Sequence, residues 1–196
     1  MLQNIAIYGA GGFGKEVKGM LDLQPKHFIF AGYFDDYKEG VEKVKNENYD
    51  DVLFCIAAPS IRSEKVNSWK NKTVLFTSLV SPDVVLHKSV VIGKGSVICA
   101  GAKLTVDISI GQFVIINLNA TIGHDVTIGD FSSIMTSVNI SGDVKIGKRV
   151  FVGSGATILQ GLTIGDDVII GAGAVVTSHI PSNVTVVGVP GRIIKK

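Results

Sequence analysis

From Val80 to Val176 an Ile, Leu or Val stands at every sixth position, beginning Val80, Leu86, Ile92, Ile98 and ending Ile158, Ile164, Ile170, Val176, with no step skipped. From Ile92 onward, four residues after each comes a small or aliphatic residue, such as Ser96, Ala102, Val126, Ser132, Ala156 or Ala174. A period of two makes a strand with alternating faces, and a period of 3.6 makes an amphipathic helix. A period of six is neither. Hexapeptide repeats build a parallel β-helix, each repeat supplying one short strand and one turn of a triangular prism. The aliphatic residue points inward, and stacked coils bury one continuous core.

Residues 1–78 keep a different rhythm. "NIAIYG", "FIFAGYFDD", "DVLFCIA" and "TVLFTSL" read as four short, buried parallel strands. "KEVKGMLDL" has helical spacing at Val17, Met20 and Leu21, and "SIRSEKVNSWK" reads as a second helix. The expected architecture is a Rossmann-like α/β subdomain over 1–78, followed by a parallel β-helix over 79–196.

Three hexapeptides make one coil, so residues 18 apart form columns with a rise of about 4.8 Å per coil. One corner of the prism carries Gly93, Gly111, Gly129, Gly147 and Gly165, each followed by a polar or charged residue. A second carries Cys99–Gly101, Asn117–Asn119, Met135–Ser137, Gly153–Gly155 and Gly171–Gly173, without a single charge. Tight turn geometry favours glycine, but turns alone do not forbid charge, as the first corner demonstrates. The second corner is therefore a subunit contact or the wall of a ligand groove. The third corner carries Val106, His124, Gly142, Gln160 and Ser178, followed by Asp107, Asp125, Asp143, Gly161 and His179. A core histidine would occupy an inward position. His124 points out of a rigid coil with Asp125 beside it, and is either a chemical group or an idle surface residue.

Composition narrows the classes. Hydrophobic residues make up 46% and charged residues 18% of the 196, enough apolar surface for a sizeable core. A net charge of +2 with scattered basic residues gives no nucleic-acid footprint. The opening "NIAIYGAGG" is too short and glycine-rich for a signal peptide or a spanning helix, so a cytoplasmic protein without membrane insertion is expected. Cys55 and Cys99 sit in apolar runs without CxxC spacing and read as buried free thiols. There is no Walker loop, no zinc-ligand spacing and no serine-centred elbow, so no metal is expected.

Four stretches, "IAIYGAGGFGKEV", "GYFDD", "IGHDVTIGDF" and "VVGVPGRIIKK", together spanning the chain, resemble the hexapeptide-repeat sugar acyltransferases of bacteria. The resemblance is to the sialic-acid O-acetyltransferase-like branch that includes N-acetyltransferases of nucleotide-linked 4-amino-sugars. It implies a left-handed β-helix, a homotrimer, and acetyl-CoA bound in the groove between neighbouring prisms. It implies His124 as general base with Asp125 beside it. The chemistry agrees: a thioester is already activated, the acceptor amine must lose a proton, and an imidazole with an ordinary pKa of ~6.5 suits that task. The backbone N–H of Gly142, one coil along, is the natural oxyanion donor. Many members carry a second histidine nine residues after the first. Here that position is Ser133, a weaker contact for the acceptor. Gly155 and Gly173 are expected to offer backbone amides to the CoA pantetheine, and Arg192 or Lys195 to approach its phosphates.

"GAGGFG" fits G-x-G-x-x-G between strand and helix, and Asp35 follows Gly14 by 21 residues, where a ribose-binding acid stands in dinucleotide folds. That makes a NAD-dependent oxidoreductase a rival reading, although about 78 residues provide only one mononucleotide half. The resemblance places the nucleotide sugar here instead, with Gly11, Asp35, Asp36 and Ala57 near base or ribose and the glycine loop, Gly9, Gly12, Phe13 and Gly14, near the phosphates. Asp35 and Asp36 also fit a plain turn cap. Expected overall is an N-acetyltransferase of a nucleotide-linked 4-amino-sugar for surface glycans. Sugar or sialic-acid O-acetylation is the near alternative, and a non-catalytic scaffold the other.

Overall fold

The structure is a computed structural model, and it describes the chain apart from residues 1, 41, 43, 45–47, 70, 73 and 196. β1 (Gln3–Tyr8) carries Ile5, Ala6 and Ile7, all buried. Burial on both faces removes the alternation expected of a surface strand and fits the centre of a parallel sheet. β2 (Phe28–Phe34) and β3 (Asp51–Phe54) flank β1 in parallel, giving the order β2-β1-β3. Between β1 and β2 runs α1 (Gly12–Asp22), which buries Val17, Met20 and Leu21 as their spacing predicts. α2 (Pro59–Ser68) follows β3 and starts with proline at its first turn, where the missing N–H costs nothing.

The expected fourth strand, "TVLFTSL", is absent from this sheet among the described residues. Phe76 has φ +55°, which no strand residue adopts. The carboxylate of the buried Asp51 takes the N–H groups of Phe76 (2.6 Å) and Thr77. The segment therefore bends, and only its end, β4 (Leu79–Val80), pairs, with the prism instead. Three strands make one mononucleotide half. A dinucleotide fold uses two such halves, and one is seen among the described residues.

The remainder is a left-handed parallel β-helix. Sixteen two-residue strands, β4 through β19 (Val175–Val176), form three parallel sheets, one per face. Register is 18 residues throughout: Thr121 pairs with Lys103 on one side and Asn139 on the other. Ile98, Ile116, Ile134, Val152 and Ile170 line the inside of one face and are wholly buried. Small residues four places after the inward aliphatics also face in. The Ser96 and Ser132 hydroxyls bond backbone groups of adjacent coils: each accepts a 3.0 Å N–H bond, from Val114 and Val150. Leu86 departs from the six-residue series, lying partly exposed and outside any strand, because the first coil has no neighbour above that face. At the far end β20 (Thr185–Val187) extends one sheet, and β21 (Arg192–Lys195) folds back antiparallel on it.

The face built from Leu79–Val80, Val97–Ile98, Ile115–Ile116, Ser133–Ile134, Phe151–Val152 and Ile169–Ile170 carries the α/β unit. Outward positions on the other faces are polar or exposed, such as Lys103, Ser109 and Thr127. On this face Val97, Ile115 and Ser133 are buried although they point out of the prism, whereas Ile169, further along, is 49% exposed. With Leu79, buried likewise, the α/β unit thus covers the first four strands of this face and leaves its far end open.

Candidate active site

His124 sits at the corner that follows the strand Thr121–Ile122. Asp125 turns that corner with φ +60°, as Asp107 (+57°) and Asp143 (+55°) do one coil before and after. Aspartate tolerates the left-handed region better than most residues, so turn geometry alone explains an acid at each of these places. What sets 125 apart is its neighbour: Asp125 Oδ2 lies 2.7 Å from His124 Nδ1. Both side chains are about half exposed, 53% and 58%.

Gly142, one coil along, lies directly under that imidazole. A Cβ there would come within 2.4 Å of His124 Nε2. Its carbonyl accepts from Gly161 N–H at 3.0 Å, while its own N–H makes no hydrogen bond among the described residues. The coil is stiff at this point: Gly123 N–H bonds Ile140 O at 2.8 Å and Asp143 N–H bonds His124 O at 2.8 Å. An imidazole held by a carboxylate therefore stands over an unpaired amide on a rigid scaffold. Such a group can accept a proton, and the amide can stabilise a developing oxyanion.

The second expected region forms a cleft of about 200 Å³ at the carboxyl ends of β1 and β3, the usual ligand position in open parallel sheets. Tyr8, Gly9, Asp35, Asp36, Tyr37, Ile56, Ile61 and Lys65 line it. Asp35 accepts from the N–H groups of Ala10 (2.7 Å), Tyr37 (3.0 Å) and Lys38 (2.9 Å). The Ala10 bond is the main reason its carboxyl is held below the usual range, helped by Tyr37 and opposed by burial. The turn-cap reading describes Asp35 well, since both of its oxygens are already engaged. Asp36 accepts from Tyr8 Oη at 2.7 Å and pairs with Lys65 at 2.7 Å. These contacts, Lys65 first, hold its carboxyl low, while burial and then Asp36 push the Tyr8 phenol up.

The glycines divide by role. Gly9 has φ +104°, and a Cβ on Gly14 would lie 1.9 Å from Gly9 O, so both serve the close packing of α1 against β1. Gly11 and Gly12 face open space. Gly11 caps α1 with no side-chain bond, leaving the helix N-terminus suited to an anion. Phe13 packs against the sheet core.

Ser133 needs correcting as a ligand contact, whereas Ala57 stays partly exposed. Ser133 is wholly buried, and its Oγ donates to Ala57 O at 2.7 Å. Both belong to the seam between α/β unit and prism. Arg62 and Lys65, which the sequence reading did not single out, turn out to hold that seam and the cleft. Gly155 and Gly173 adopt φ +68° and +65° on the uncharged corner and face open space. Arg192 is exposed, with Nη1 on Gly191 O at 3.0 Å, and the Lys195 side chain lies outside the described residues. Cys55 and Cys99 are buried free thiols, and burial pushes Cys99 up to about 12. Among the described residues no three His, Cys, Asp or Glu side chains are grouped to hold a metal, and no helix is long and apolar enough to cross a membrane.

Residues 4–76 match the PglD N-terminal domain family, and residues 125–160 and 143–178 match the bacterial transferase hexapeptide (six repeats) family. No curated protein matches the chain. Solved structures similar to it include PerB from Caulobacter crescentus in complex with CoA and GDP-perosamine, 28% identical, with 97% of this chain and 96% of that one covered at a TM-score of 0.89. The acetyltransferase domain of PglB from Neisseria gonorrhoeae FA1090 in complex with acetyl coenzyme A is 27% identical, with 99% and 100% covered and a TM-score of 0.90. WeeI from Acinetobacter baumannii AYE is 31% identical, with 99% and 100% covered and a TM-score of 0.88.

Proposed function

The chain belongs to the hexapeptide-repeat sugar acetyltransferases, and from that premise we propose that it transfers acetyl from acetyl-CoA to the amino group of a nucleotide-linked 4-amino-sugar. The observation that carries this reading is the His124–Asp125 pair standing over the unpaired Gly142 amide. PerB, with CoA and GDP-perosamine bound, supplies the substrate class.

In this mechanism His124 Nε2 takes the proton of the acceptor amine as nitrogen attacks the thioester carbonyl. Asp125 holds the ring by Nδ1 and steadies its charged form. The Gly142 N–H donates to the oxyanion of the tetrahedral intermediate. The attack forms the N–C bond; collapse of the intermediate re-forms the C=O bond, breaks the C–S bond and lets the imidazolium return the proton to the CoA sulfur. No covalent enzyme intermediate is required.

The α/β unit sits on one face of the prism, and His124 lies at the opposite edge, between the other two faces. Nucleotide cleft and base therefore meet across a contact between copies. This favours a homotrimer, with the uncharged corner around Gly155 and Gly173 walling the CoA groove and Arg192 near its phosphates. The sugar nucleotide occupies the Asp36–Lys65 cleft, its phosphates toward Gly11 and Gly12.

Thiol release from acetyl-CoA with UDP-, dTDP- and GDP-linked 4-amino-sugars tests the reading, with hydroxyl sugars and sialic acid alongside. Release only with amino sugars is expected. Release only with hydroxyl acceptors moves the reaction to O-acetylation, and silence with every acceptor overturns the proposal.

A further inference from the structure

The seam between the two halves contains a buried cation with no carboxylate partner among the described residues. Arg62, on α2, is 1% exposed. Its Nε donates to Phe113 O at 2.9 Å. Nη2 donates to Phe131 O at 2.5 Å, Ser132 O at 3.1 Å and Ser133 Oγ at 3.0 Å. Nη1 donates to Ile56 O and, at 3.3 Å, to Ala57 O. No carboxylate is among these partners. Burial pulls the pKa of the guanidinium down, and the ring of carbonyl oxygens holds the proton on.

A buried charge without an ion partner is costly, and a well-packed apolar residue usually stabilises such a place as well or better. What apolar packing lacks is direction. Phe113 and Phe131 occupy the same corner of successive coils, with rings stacked at 5.2 Å. Their φ values of +54° and +61° accompany carbonyls that bond the guanidinium. Ser132 O lies beside Phe131 on the prism, and the remaining two carbonyls, Ile56 and Ala57, belong to the loop between β3 and α2. A planar fork can engage both sets at once, which the point charge of lysine cannot do. Ser133 extends the bridge by donating to Ala57 O.

That loop and helix also build the nucleotide cleft. Ile56, Ile61 and Lys65 line it, and Lys65 carries the ion pair to Asp36. Ile61 and Lys65 thus face the cleft while Arg62, beside Ile61, faces the prism. We propose that Arg62, with Ser133, is a positioning residue: it fixes the angle and height of the nucleotide cleft on the prism, and so sets where the acceptor amine meets the catalytic histidine. This rests on the functional reading above. Arg62 touches neither substrate nor base and acts through α2 and the Ile56–Ala57 loop.

The test compares wild type with Arg62→Met, Arg62→Lys and Ser133→Ala. Steady-state kinetics are run against sugar nucleotide and acetyl-CoA separately, with amide hydrogen exchange on the same proteins. For both Arg62 variants kcat/KM for the sugar nucleotide is expected to fall about 100-fold, the scale of a misplacement of about 1 Å. The acetyl-CoA dissociation constant should stay within about twofold, since prism coils alone form that groove. Ser133→Ala should lose about tenfold or less, since it removes the two Ser133 bonds and leaves the five carbonyl contacts of the guanidinium in place. Exchange should quicken at residues 56–62 and stay unchanged in the coils beyond residue 140. Equal losses toward both substrates would make Arg62 a general stabiliser and overturn the proposal, as would kinetics and exchange like wild type. If Arg62→Met does not fold, Arg62→Lys and Ser133→Ala carry the same comparison. Wild type silent toward every acceptor would sink the functional reading. Exchange, which needs no turnover, then still decides the seam: quickening confined to 56–62 supports it, and uniform or absent quickening overturns it.

Discussion

The imidazole of His124 occupies the space that a side chain at Gly142 would need, with Nε2 2.4 Å from where a Cβ would stand. The backbone at 142 is not in the left-handed region, so alanine is allowed there by conformation and conflicts only with the ring. Gly142→Ala is therefore expected to push the imidazole aside without unfolding the coil. Acetyl transfer should fall about 10- to 100-fold by misplacement, with the melting temperature within about 2 °C of wild type. A thermal melt beside the thiol-release assay checks both parts.

His124→Ala should remove the base outright and cost about 10²- to 10⁴-fold in kcat. Acetyl-CoA binding should persist, because the corner bearing Gly155 and Gly173 is untouched. Asp125→Asn keeps the turn, since asparagine also tolerates φ near +60°, but loses the carboxylate that holds Nδ1. The pair is half exposed, so water competes for the bond, and a loss of about 10- to 10³-fold is expected, smaller than for a buried triad. If Asp125→Asn were as active as wild type, the aspartate would be there for its turn alone, as at 107 and 143.

The prism was legible because its inward side chains repeat along the chain itself. Ile98, Ile116 and Ile134 are equivalent by symmetry, and a symmetric core writes its period into the sequence. Leu86 broke the pattern in space though not in sequence, because an end coil lacks a neighbour. The strand expected at "TVLFTSL" failed for a non-local reason: a carboxylate 25 residues earlier, on Asp51, captures the amides of Phe76 and Thr77. Likewise His124 and Asp125 were visible as adjacent letters, whereas the seam was not. Arg62 meets Phe113, Phe131 and Ser133 only after the whole β-helix has formed. Nothing in "SIRSEKVNSWK" separates a buried arginine from a solvated one.

Asp35 gives a pH-dependent test of turn cap against ribose ligand. Its carboxyl is held below the ordinary range by three backbone N–H groups, Ala10 foremost. A depressed carboxyl contributes stability fully above its unfolded value of ~3.9, and that contribution is lost as pH falls through the lower folded value. Asp35→Asn should unfold at lower urea at pH 7, by about 1–2 kcal/mol. The gap to wild type should close progressively below about pH 4. A ribose ligand would instead raise KM for the sugar nucleotide and leave the urea midpoint where it was.

The glycines of "GAGGFG" separate packing from binding in one comparison. A Cβ on Gly14 would lie 1.9 Å from the carbonyl oxygen of Gly9 and 3.5 Å from Ile7. A backbone oxygen cannot rotate away as a side chain can, so α1 must lift off β1. Gly14→Ala is expected to destabilise by about 3 kcal/mol or more, through overpacking. Gly12, two residues earlier in the same helix, has nothing within 4 Å of its Cβ position. Alanine there should stabilise the apo protein by up to about 1 kcal/mol, from helix propensity alone. A phosphate seated on this N-terminus would meet the new methyl, so Gly12→Ala should raise KM for the sugar nucleotide while raising the melting temperature. Denaturation curves and sugar-nucleotide KM for the two variants check this. An unchanged KM in Gly12→Ala would move the phosphates off the loop and leave its glycines to packing.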